Sequence, residues 1–288
     1  MVRSGRGGAT LVGFSAVALW SLLAVLTVGT APVPPLQLNA MTFAIGGAVG
    51  LVWVLRTGGF AQLGAVSWRV YAFGTAGLFG YHFLYFSALR LAPPAEAGLI
   101  AYLWPLLIVL FSGLLPGERL GVAHVAGAAL AFAGAALIVA GGWGAGGGLQ
   151  LGHALALLCA LTWAGYSLIS RRLGAVPTSV VAVYCLATAA LSVPAHLALE
   201  STVWPDGARG WGAVLALGLG PVGLAFYTWD IGVKRGNIQV LGTAAYAAPL
   251  LSTLVLVMAG EAAASTTLAL AATGIAGGAF LAARGARR

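Results

Sequence analysis

The side chains of this sequence that are suited to binding a ligand are aromatic and lie within apolar segments. His82 and Tyr85 are three residues apart, so they share one face of a helix. Tyr102 and Trp104 follow in the next apolar segment, and Trp20 lies in the first one. Indole, phenol and imidazole groups form hydrogen bonds while their rings stack. This chemistry is binding rather than bond cleavage: a ring-lined cavity that recognises an apolar body carrying polar groups.

Patterns typical of catalysis or metal binding are absent from the sequence. It has no His-Glu-x-x-His, no Gly-x-Ser-x-Gly with a partner set, and no Cys/His spacing typical of a metal site. The glycine tract Gly141–Gly148 follows an apolar helix rather than a strand, so it does not predict a phosphate loop. Cys159 and Cys185 are expected to be small buried hydrophobes. We therefore expect no enzyme, no metal and no cofactor.

The sequence contains an internal duplication. Four pairs of features recur at a spacing of 143 or 144 positions, which is about half the chain. They are the Ala-Tyr-x-x-Pro-Leu-Leu motifs at 101–107 and 245–251, Arg90 with Lys234, Trp20 with Trp163, and Glu118 with Glu261. The shared spacing is the evidence, because any single match between Ala- and Leu-rich segments arises by chance. We place the two halves at residues 1–143 and 144–288.

The composition indicates that lipid surrounds most of the chain. Of the 288 residues, 60% are hydrophobic and 7% are charged, whereas a soluble domain is about a quarter charged. So few charges cannot cover a surface that faces water. The net charge of +8 comes from basic residues at the ends of apolar segments rather than from a cluster. This distribution indicates membrane topology and excludes a nucleic-acid surface.

Apolar runs separated by Pro, Gly and basic residues predict ten transmembrane helices, because about 20 residues cross about 30 Å of hydrocarbon. We place them near residues 9–29, 36–55, 69–90, 95–115, 121–140, 152–170, 178–198, 211–233, 238–258 and 266–283. With both termini in the cytoplasm, 12 of the 14 basic residues fall on the cytoplasmic side. Five helices per half is an odd number, so the second half is inverted relative to the first.

This organisation resembles the drug/metabolite transporter superfamily and its EamA-type exporters. The resemblance is carried by the two inverted five-helix repeats, by Pro105 and Pro249 after an aromatic residue, and by Gly117-Glu118 at the start of helix 5. The early Trp in each half and the Tyr/His-rich helix 3 are similar to bacterial aromatic amino acid exporters, also described as methyl viologen exporters. The resemblance implies an all-α inner-membrane protein that exports small amphipathic metabolites, foremost aromatic and other hydrophobic amino acids, by alternating access.

Counting residues from the helix ends places a set of aromatic side chains near the middle of the membrane. At 1.5 Å per residue, Tyr102 lies about 10 Å and His82 about 12 Å from the outer end of its helix. Rings at this depth are too far from the headgroups for an interfacial belt, so we expect a substrate cavity there. The predicted substrate-binding residues are Trp20, His82, Tyr85, Tyr102, Trp104, Trp163, Tyr166, Tyr227 and Tyr246.

Two prolines and the acidic residues bear on how such a protein would move substrate. Pro105 and Pro249 each remove a helical hydrogen bond and clash with the carbonyl four residues back, which predicts a kink in each half. We interpret the kinks as hinges. No Asp or Glu lies near the middle of a predicted helix, where proton-coupled transporters usually carry one. We therefore expect transport without proton coupling, with His82 as the candidate proton site if coupling exists.

Two other functions fit the same pattern. A cationic-drug exporter would bind its substrate over the same rings by cation–π interaction, although no carboxylate at the membrane centre would neutralise the charge. A membrane receptor or assembly subunit that does not transport is the alternative from another class. The expected partners are the lipid bilayer and a small molecule, without nucleic acid, and either a monomer or an oligomer fits.

Overall fold

The computed structural model of the chain describes residues 5–92, 94–139, 150–258 and 266–285. Throughout these residues the protein is helical, without a strand. Five helical segments among them are long and apolar enough to cross a membrane. These are Arg6–Thr27, Pro35–Thr57, Leu151–Arg172, Val180–Leu199 and Gly207–Arg235. The prediction of an all-α membrane protein is confirmed at this level.

Most helices begin and end within a few residues of the positions that the sequence predicts. In chain order they are α1 (Arg6–Trp20), α2 (Leu23–Gly29), α3 (Pro35–Thr57), α4 (Phe60–Gly64), α5 (Trp68–Leu91), α6 (Pro94–Ala101), α7 (Trp104–Ser112), α8 (Val122–Val139), α9 (Leu151–Arg172), α10 (Val180–Leu199), α11 (Gly207–Leu219), α12 (Ala225–Arg235), α13 (Ile238–Ala244), α14 (Ala247–Met258) and α15 (Thr266–Gly285), with a π-helical turn at Gly220–Leu224 between α11 and α12.

Four of the predicted helices are interrupted. The interruptions are at Ser21–Leu22, Tyr102–Leu103, the π-helical turn and Ala245–Tyr246. Two of them directly precede the helices that contain Pro105 and Pro249, in agreement with the predicted kinks, because proline fits the first turn of a helix and not its interior. The sequence analysis anticipated neither the interruption after Trp20 nor the π-helical turn, which contains Pro221.

Local capping explains where several helices start and stop. α3 begins at Pro35 and ends before Gly58, whose φ of 66° is a left-handed conformation that glycine adopts without strain. α13 begins after Asn237, whose side chain accepts hydrogen bonds from the backbone N–H groups of Gln239 and Val240. These caps determine where α3 ends and where α13 begins.

Four helix pairs make the most extensive packing interfaces: α1 with α12, α3 with α10, α5 with α9, and α8 with α15. Glycines allow their backbones to approach closely. A Cβ atom built on Gly13 would lie 2.8 Å from the Cα of Gly232, and one on Gly127 would lie 2.5 Å from the carbonyl oxygen of Gly278. A side chain at either position would force the helices apart, which is why membrane helix interfaces favour small residues.

Parts of the predicted scheme lie outside the described residues. They are the glycine tract Gly141–Gly148 with the boundary between the proposed halves, the repeat anchor Glu261, and the terminal residues 1–4 and 286–288. The Tyr/Pro motifs and the four main helix pairs of the two halves lie within the described residues.

Candidate ligand-binding cavity

A cavity of about 840 Å³ lies between the helices, a volume that accommodates a small organic molecule. Its walls come from α1, α2, α3, α5, α6, α7, α9, α11, α12 and α14, with the connections at residues 30–33 and at Tyr102 and the π-helical turn. Six of the nine predicted residues line it: Trp20, His82, Tyr85, Tyr102, Trp104 and Trp163. The sequence therefore predicted most of its aromatic wall, from two different halves of the chain.

Four indole rings pack together at the cavity. The ring of Trp20 lies 5.8 Å from that of Trp163 and 5.2 Å from that of Trp229, while Trp104 lies 5.6 Å from Trp229 and 6.2 Å from Trp163. Trp229 is almost fully buried and donates its indole N–H to Ser167 Oγ at 3.1 Å. It packs behind the three rings that line the cavity. We refer to Trp20, Trp104, Trp163 and Trp229 as the tryptophan cluster.

The π-helical turn holds part of this wall in place. Trp20 donates its indole N–H to the backbone carbonyl of Pro221, 3.0 Å away. π-helical turns interrupt the regular bonding of a helix and recur at functional sites. Phe226, just after the turn, lines the cavity and stacks on Phe43 with ring centroids 5.4 Å apart. The turn thus attaches a residue of the first half to the backbone of the second.

His82 is held in a defined orientation by its own helix. Its Nδ1 lies 2.7 Å from the carbonyl oxygen of Leu78. Because a carbonyl only accepts, Nδ1 carries the proton and donates it, which leaves a lone pair on Nε2 of the neutral ring. The imidazole meets the edge of Phe43 at 4.9 Å and of Phe226 at 6.0 Å. Among the described residues that line the cavity, none is acidic or basic apart from this histidine.

Three predicted residues are buried but lie away from the cavity wall, which corrects the expectation that they line it. They are Tyr166, Tyr227 and Tyr246. The ring of Tyr166 stacks on Trp163, with centroids 5.1 Å apart, and Tyr227 donates its hydroxyl to the carbonyl of Gly46 at 3.0 Å. Counting residues along a helix gives depth in the membrane, but it does not give the direction in which a side chain points.

Tyr246 has a structural contact at the interruption between α6 and α7. In an unbroken helix the N–H of Leu106 would bond to the carbonyl of Tyr102. Here the N–H donates to the hydroxyl of Tyr246 instead, at 3.0 Å. The tyrosine is fully buried, and its ring packs against Phe132. A side chain of the second half therefore caps the broken helix of the first.

Sequence reasoning missed several residues of the wall. They include Asn39, Thr42, Tyr81, Phe86 and Phe226. A signal existed for the first two, because polar residues within an apolar membrane segment are commonly functional. The phenylalanines carried no such signal, since they are ordinary residues of a membrane helix.

The two ends of the helix bundle differ. The cavity extends to the end where α2 joins α3 and is lined there by Thr30 and Val33. At the opposite end Glu118 accepts hydrogen bonds from Arg6, at 2.8 and 2.9 Å, and from Arg171, at 2.5 Å. One carboxylate thus joins the start of α1, the connection after α7 and the end of α9.

Arg171 strengthens this closure through backbone groups. Its Nη1 lies within hydrogen-bond distance of three carbonyls at the end of α12, those of Val233, Lys234 and Gly236. Beside them, Lys234 Nζ contacts Asp230 Oδ2 at 2.9 Å. These charged groups and hydrogen bonds join the helices at this end, whereas the aromatic cavity extends toward the other end.

Comparison with known proteins places the chain in a family. The model of the EamA-like transporter family matches residues 7–140 and again residues 150–283. The protein belongs to this family and is a multi-pass membrane transporter rather than an enzyme, as the resemblance implied.

Relatives with a stated activity cover nearly the whole chain. The chain is 57% identical over 286 residues to "Aromatic amino acid exporter YddG" of Ancylobacter novellus, covering 98% of this chain and 99% of that protein. Proteins of the same name from Salmonella typhimurium and Escherichia coli are 27% and 25% identical, over 85% and 86% of this chain and 86% and 87% of theirs. A crystal structure of a 56% identical protein matches with a TM-score of 0.92, covering 99% of this chain and 100% of that one.

Proposed function

We propose that the protein exports aromatic amino acids across the bacterial inner membrane and binds them in the 840 Å³ cavity. The observation that carries the proposal is the aromatic wall, which is formed by the cavity-facing rings of the tryptophan cluster together with His82, Tyr85 and Tyr102. An aromatic substrate stacks on such rings or meets their edges, and each contact contributes about 0.5–1.5 kcal/mol beyond burial. The name of the Ancylobacter novellus relative agrees with this proposal.

Ten helices in two inverted five-helix repeats, divided into residues 1–143 and 144–288, are the architecture that we propose. Two family matches of similar length support the duplication. The helix pairs support it too: exchanging the halves converts the α1–α12 pair into the α9–α5 pair and maps the α3–α10 and α8–α15 pairs onto themselves. Inverted repeats give a transporter two related conformations, each open to one side.

The proposed topology has both termini in the cytoplasm, because 12 of the 14 basic residues then lie on that side. In this orientation the cavity opens to the periplasm, and Glu118 with its two arginines closes the cytoplasmic end. Export would break those contacts, load the substrate from the cytoplasm and close them again. Pro105 and Pro249, each in the first turn after a helix interruption, are the proposed hinges.

We further propose that transport is not coupled to protons. The described lining of the cavity contains no carboxylate, and Nδ1 of His82 is already engaged by the carbonyl of Leu78. The concentration gradient of the substrate would then drive export. A cationic-drug exporter is the second candidate, which the aromatic walls favour because ring faces attract cations.

Counterflow in proteoliposomes tests the function. Vesicles loaded with unlabelled phenylalanine should accumulate labelled phenylalanine from outside, while protein-free vesicles should not. Competition by tryptophan and tyrosine, with weak competition by alanine and methyl viologen, is the expected pattern. If methyl viologen competes best, the drug exporter replaces the amino acid exporter; if no ligand exchanges, the protein is not a transporter of this kind.

Cysteine labelling tests the topology. A cysteine at Arg288 should react with a membrane-impermeant thiol reagent only in inverted membrane vesicles. Labelling in intact spheroplasts would place the C-terminus outside and contradict the proposed orientation.

A further inference from the structure

A directional chain of hydrogen bonds leads from α10 to the cavity wall. Asn39, on α3, lines the cavity and is 4% exposed. Its Nδ2 lies 2.7 Å from Ser192 Oγ, and that hydroxyl lies 2.8 Å from the backbone carbonyl of Thr188. All three residues are buried, so each hydrogen bond is protected from competition by water.

This chain fixes the orientation of the Asn39 amide. The carbonyl of Thr188 can only accept, so Ser192 must give it its single hydroxyl proton. The atom of Asn39 that faces Ser192 must then be a donor, which is Nδ2 and not Oδ1. No other side-chain hydrogen bond of Asn39 is formed with the described residues. Its Oδ1 therefore remains available at the cavity wall to accept a hydrogen bond from a ligand.

Few side chains of the wall are acceptors alone; besides Asn39 Oδ1, the neutral ring of His82 offers one acceptor at Nε2. The indole N–H groups of Trp104 and Trp163 are donors, and a phenol donates as readily as it accepts. The hydroxyl of Thr42, next to Asn39 on the cavity face, gives its proton to the carbonyl of Leu38 at 2.8 Å. With no carboxylate in the described lining, a substrate ammonium must be bound by neutral acceptors, and Asn39 Oδ1 is one held in a fixed position.

The electrostatics at the start of α3 suit a cation near Asn39. The N-terminus of a helix is electropositive and would repel an ammonium group. Glu200 neutralises it, because its carboxylate accepts hydrogen bonds from the backbone N–H groups of Leu36 and Gln37 at 3.0 to 3.1 Å. The side chain of Glu200 is 2% exposed, so its charge is not screened by solvent.

We propose that Asn39 determines specificity by accepting a hydrogen bond from the α-ammonium group of the substrate. The substrate's aromatic ring then lies against the tryptophan cluster. Its carboxylate faces the indole N–H groups of Trp104 on α7 and Trp163 on α9. This inference rests on the proposed function, and it names the polar end of the substrate that α3 recognises.

Three ligands separate the ammonium contact from the ring contacts. They are L-phenylalanine, phenethylamine, which lacks the carboxylate, and 3-phenylpropionate, which lacks the ammonium. Binding is measured by titration calorimetry on the purified full chain in detergent. Asn39→Leu removes the acceptor and keeps a similar volume. Gln62→Leu, an amide-to-leucine change at an exposed position of α4, is the matched control.

The expected result is selective. Asn39→Leu should weaken L-phenylalanine and phenethylamine about tenfold or more, as for a lost hydrogen bond to a charged group, while 3-phenylpropionate changes by less than about twofold. Gln62→Leu should leave all three affinities as in the wild type. Equal losses for all three ligands, or no loss for the two amines, would overturn the assignment.

Asn39→Asp provides a second measurement should the leucine variant fail to fold. A carboxylate in place of the amide should raise the affinity for phenethylamine relative to 3-phenylpropionate by about tenfold, because it adds a charge to the same contact. An unchanged ratio contradicts the inference. Counterflow by the wild type separates a failure of this inference from a failure of the proposed function. If the wild type exchanges phenylalanine but the affinity ratio of the two analogues is unchanged in Asn39→Asp, only the role of Asn39 is refuted. If the wild type does not exchange phenylalanine, the proposed function is refuted.

Discussion

The two Ala-Tyr-x-x-Pro-Leu-Leu motifs have the same residues and interrupt their helices at the same place, yet their tyrosines do different things. Tyr102 lines the cavity. Tyr246 is fully buried, and its hydroxyl accepts the N–H of Leu106 in the other motif. The backbone interruption is common to both halves because proline imposes it. The side chain at the interruption is free to take a separate role in each half.

This difference shows how one half stabilises the other. A broken helix leaves an N–H group without its usual partner, and inside a membrane such a group costs several kcal/mol if nothing replaces that partner. Tyr246 supplies the replacement for the first half. Tyr102 can therefore face the cavity, because the Leu106 N–H that the interruption frees donates to the hydroxyl of Tyr246.

The largest expected effect separates the two tyrosines by function. Tyr102→Ala removes a ring and a hydroxyl from the cavity wall, so phenylalanine counterflow should fall about tenfold, the loss expected for about 1.4 kcal/mol of ring contact. Trp163→Ala should have a similar effect, since its ring contacts Trp20, Trp104 and Trp229. Wild-type rates at normal expression in both variants would refute the cavity as the binding site.

The sequence predicted the positions of the helices because Pro, Gly and basic residues mark their ends. Pro35 begins α3, for example, and Arg172 ends α9, both within two residues of the predicted positions. It also predicted a kink at each of the two proline motifs, where the structure has an interruption of the helix. It missed the π-helical turn at Gly220–Leu224, because a change from i−4 to i−5 bonding has no composition of its own.

The cavity could be predicted only in part, for a geometric reason. Depth follows from counting residues, and this placed His82 and Trp163 correctly at the cavity level. The direction of a side chain depends on how its helix is rotated against its neighbours, which one sequence does not contain. Tyr166 and Tyr227 contact other helices, at Phe73 and Gly46, and do not line the cavity, while Phe226 lines it.

The other tyrosine should affect stability rather than transport. Tyr246→Phe keeps the ring but removes the acceptor of the Leu106 N–H, which should cost about 1–3 kcal/mol for a buried unsatisfied donor. Thermal unfolding in detergent measures the loss. Tyr102→Phe should unfold like the wild type. Equal stabilities for the two variants would show that the tyrosines are not divided between binding and structure as proposed.

The contrast between the open and the closed end of the bundle gives a smaller effect. Glu118→Gln removes the charge that holds Arg6 and Arg171 together, so this end, which is cytoplasmic in the proposed orientation, should open more often. Three hydrogen bonds join the partly buried Glu118 to the two arginines. Loss of the charge should cost about 1–2 kcal/mol, which predicts a shift of about tenfold in the population open at this end.

Thiol labelling measures this opening. A cysteine in place of Thr243, which is fully buried on α13, should react faster from the cytoplasmic side when Glu118→Gln is present. Arg172→Gln is the matched control, because Arg172 only donates one exposed hydrogen bond, to the carbonyl of Leu114. Faster labelling in the control alone, or in neither variant, would mean that Glu118 does not keep this end closed.

The smallest expected effect concerns His82, which lies on the cavity side that the first half provides. Glutamine in its place can still donate to the carbonyl of Leu78 and present an acceptor to the cavity, but it cannot take up a proton. If transport is uncoupled, His82→Gln should keep phenylalanine exchange within about fivefold of the wild type, the range of one neutral hydrogen bond, with a similar pH profile.

A pH gradient imposed across wild-type proteoliposomes should not drive phenylalanine uphill. The opposite pattern is specific: a pH gradient that accumulates phenylalanine, with His82→Gln abolishing accumulation but retaining exchange, would identify His82 as a proton site. The two halves would then differ in a further respect, because the position equivalent to His82 at a spacing of 144 is Phe226, which cannot carry a proton.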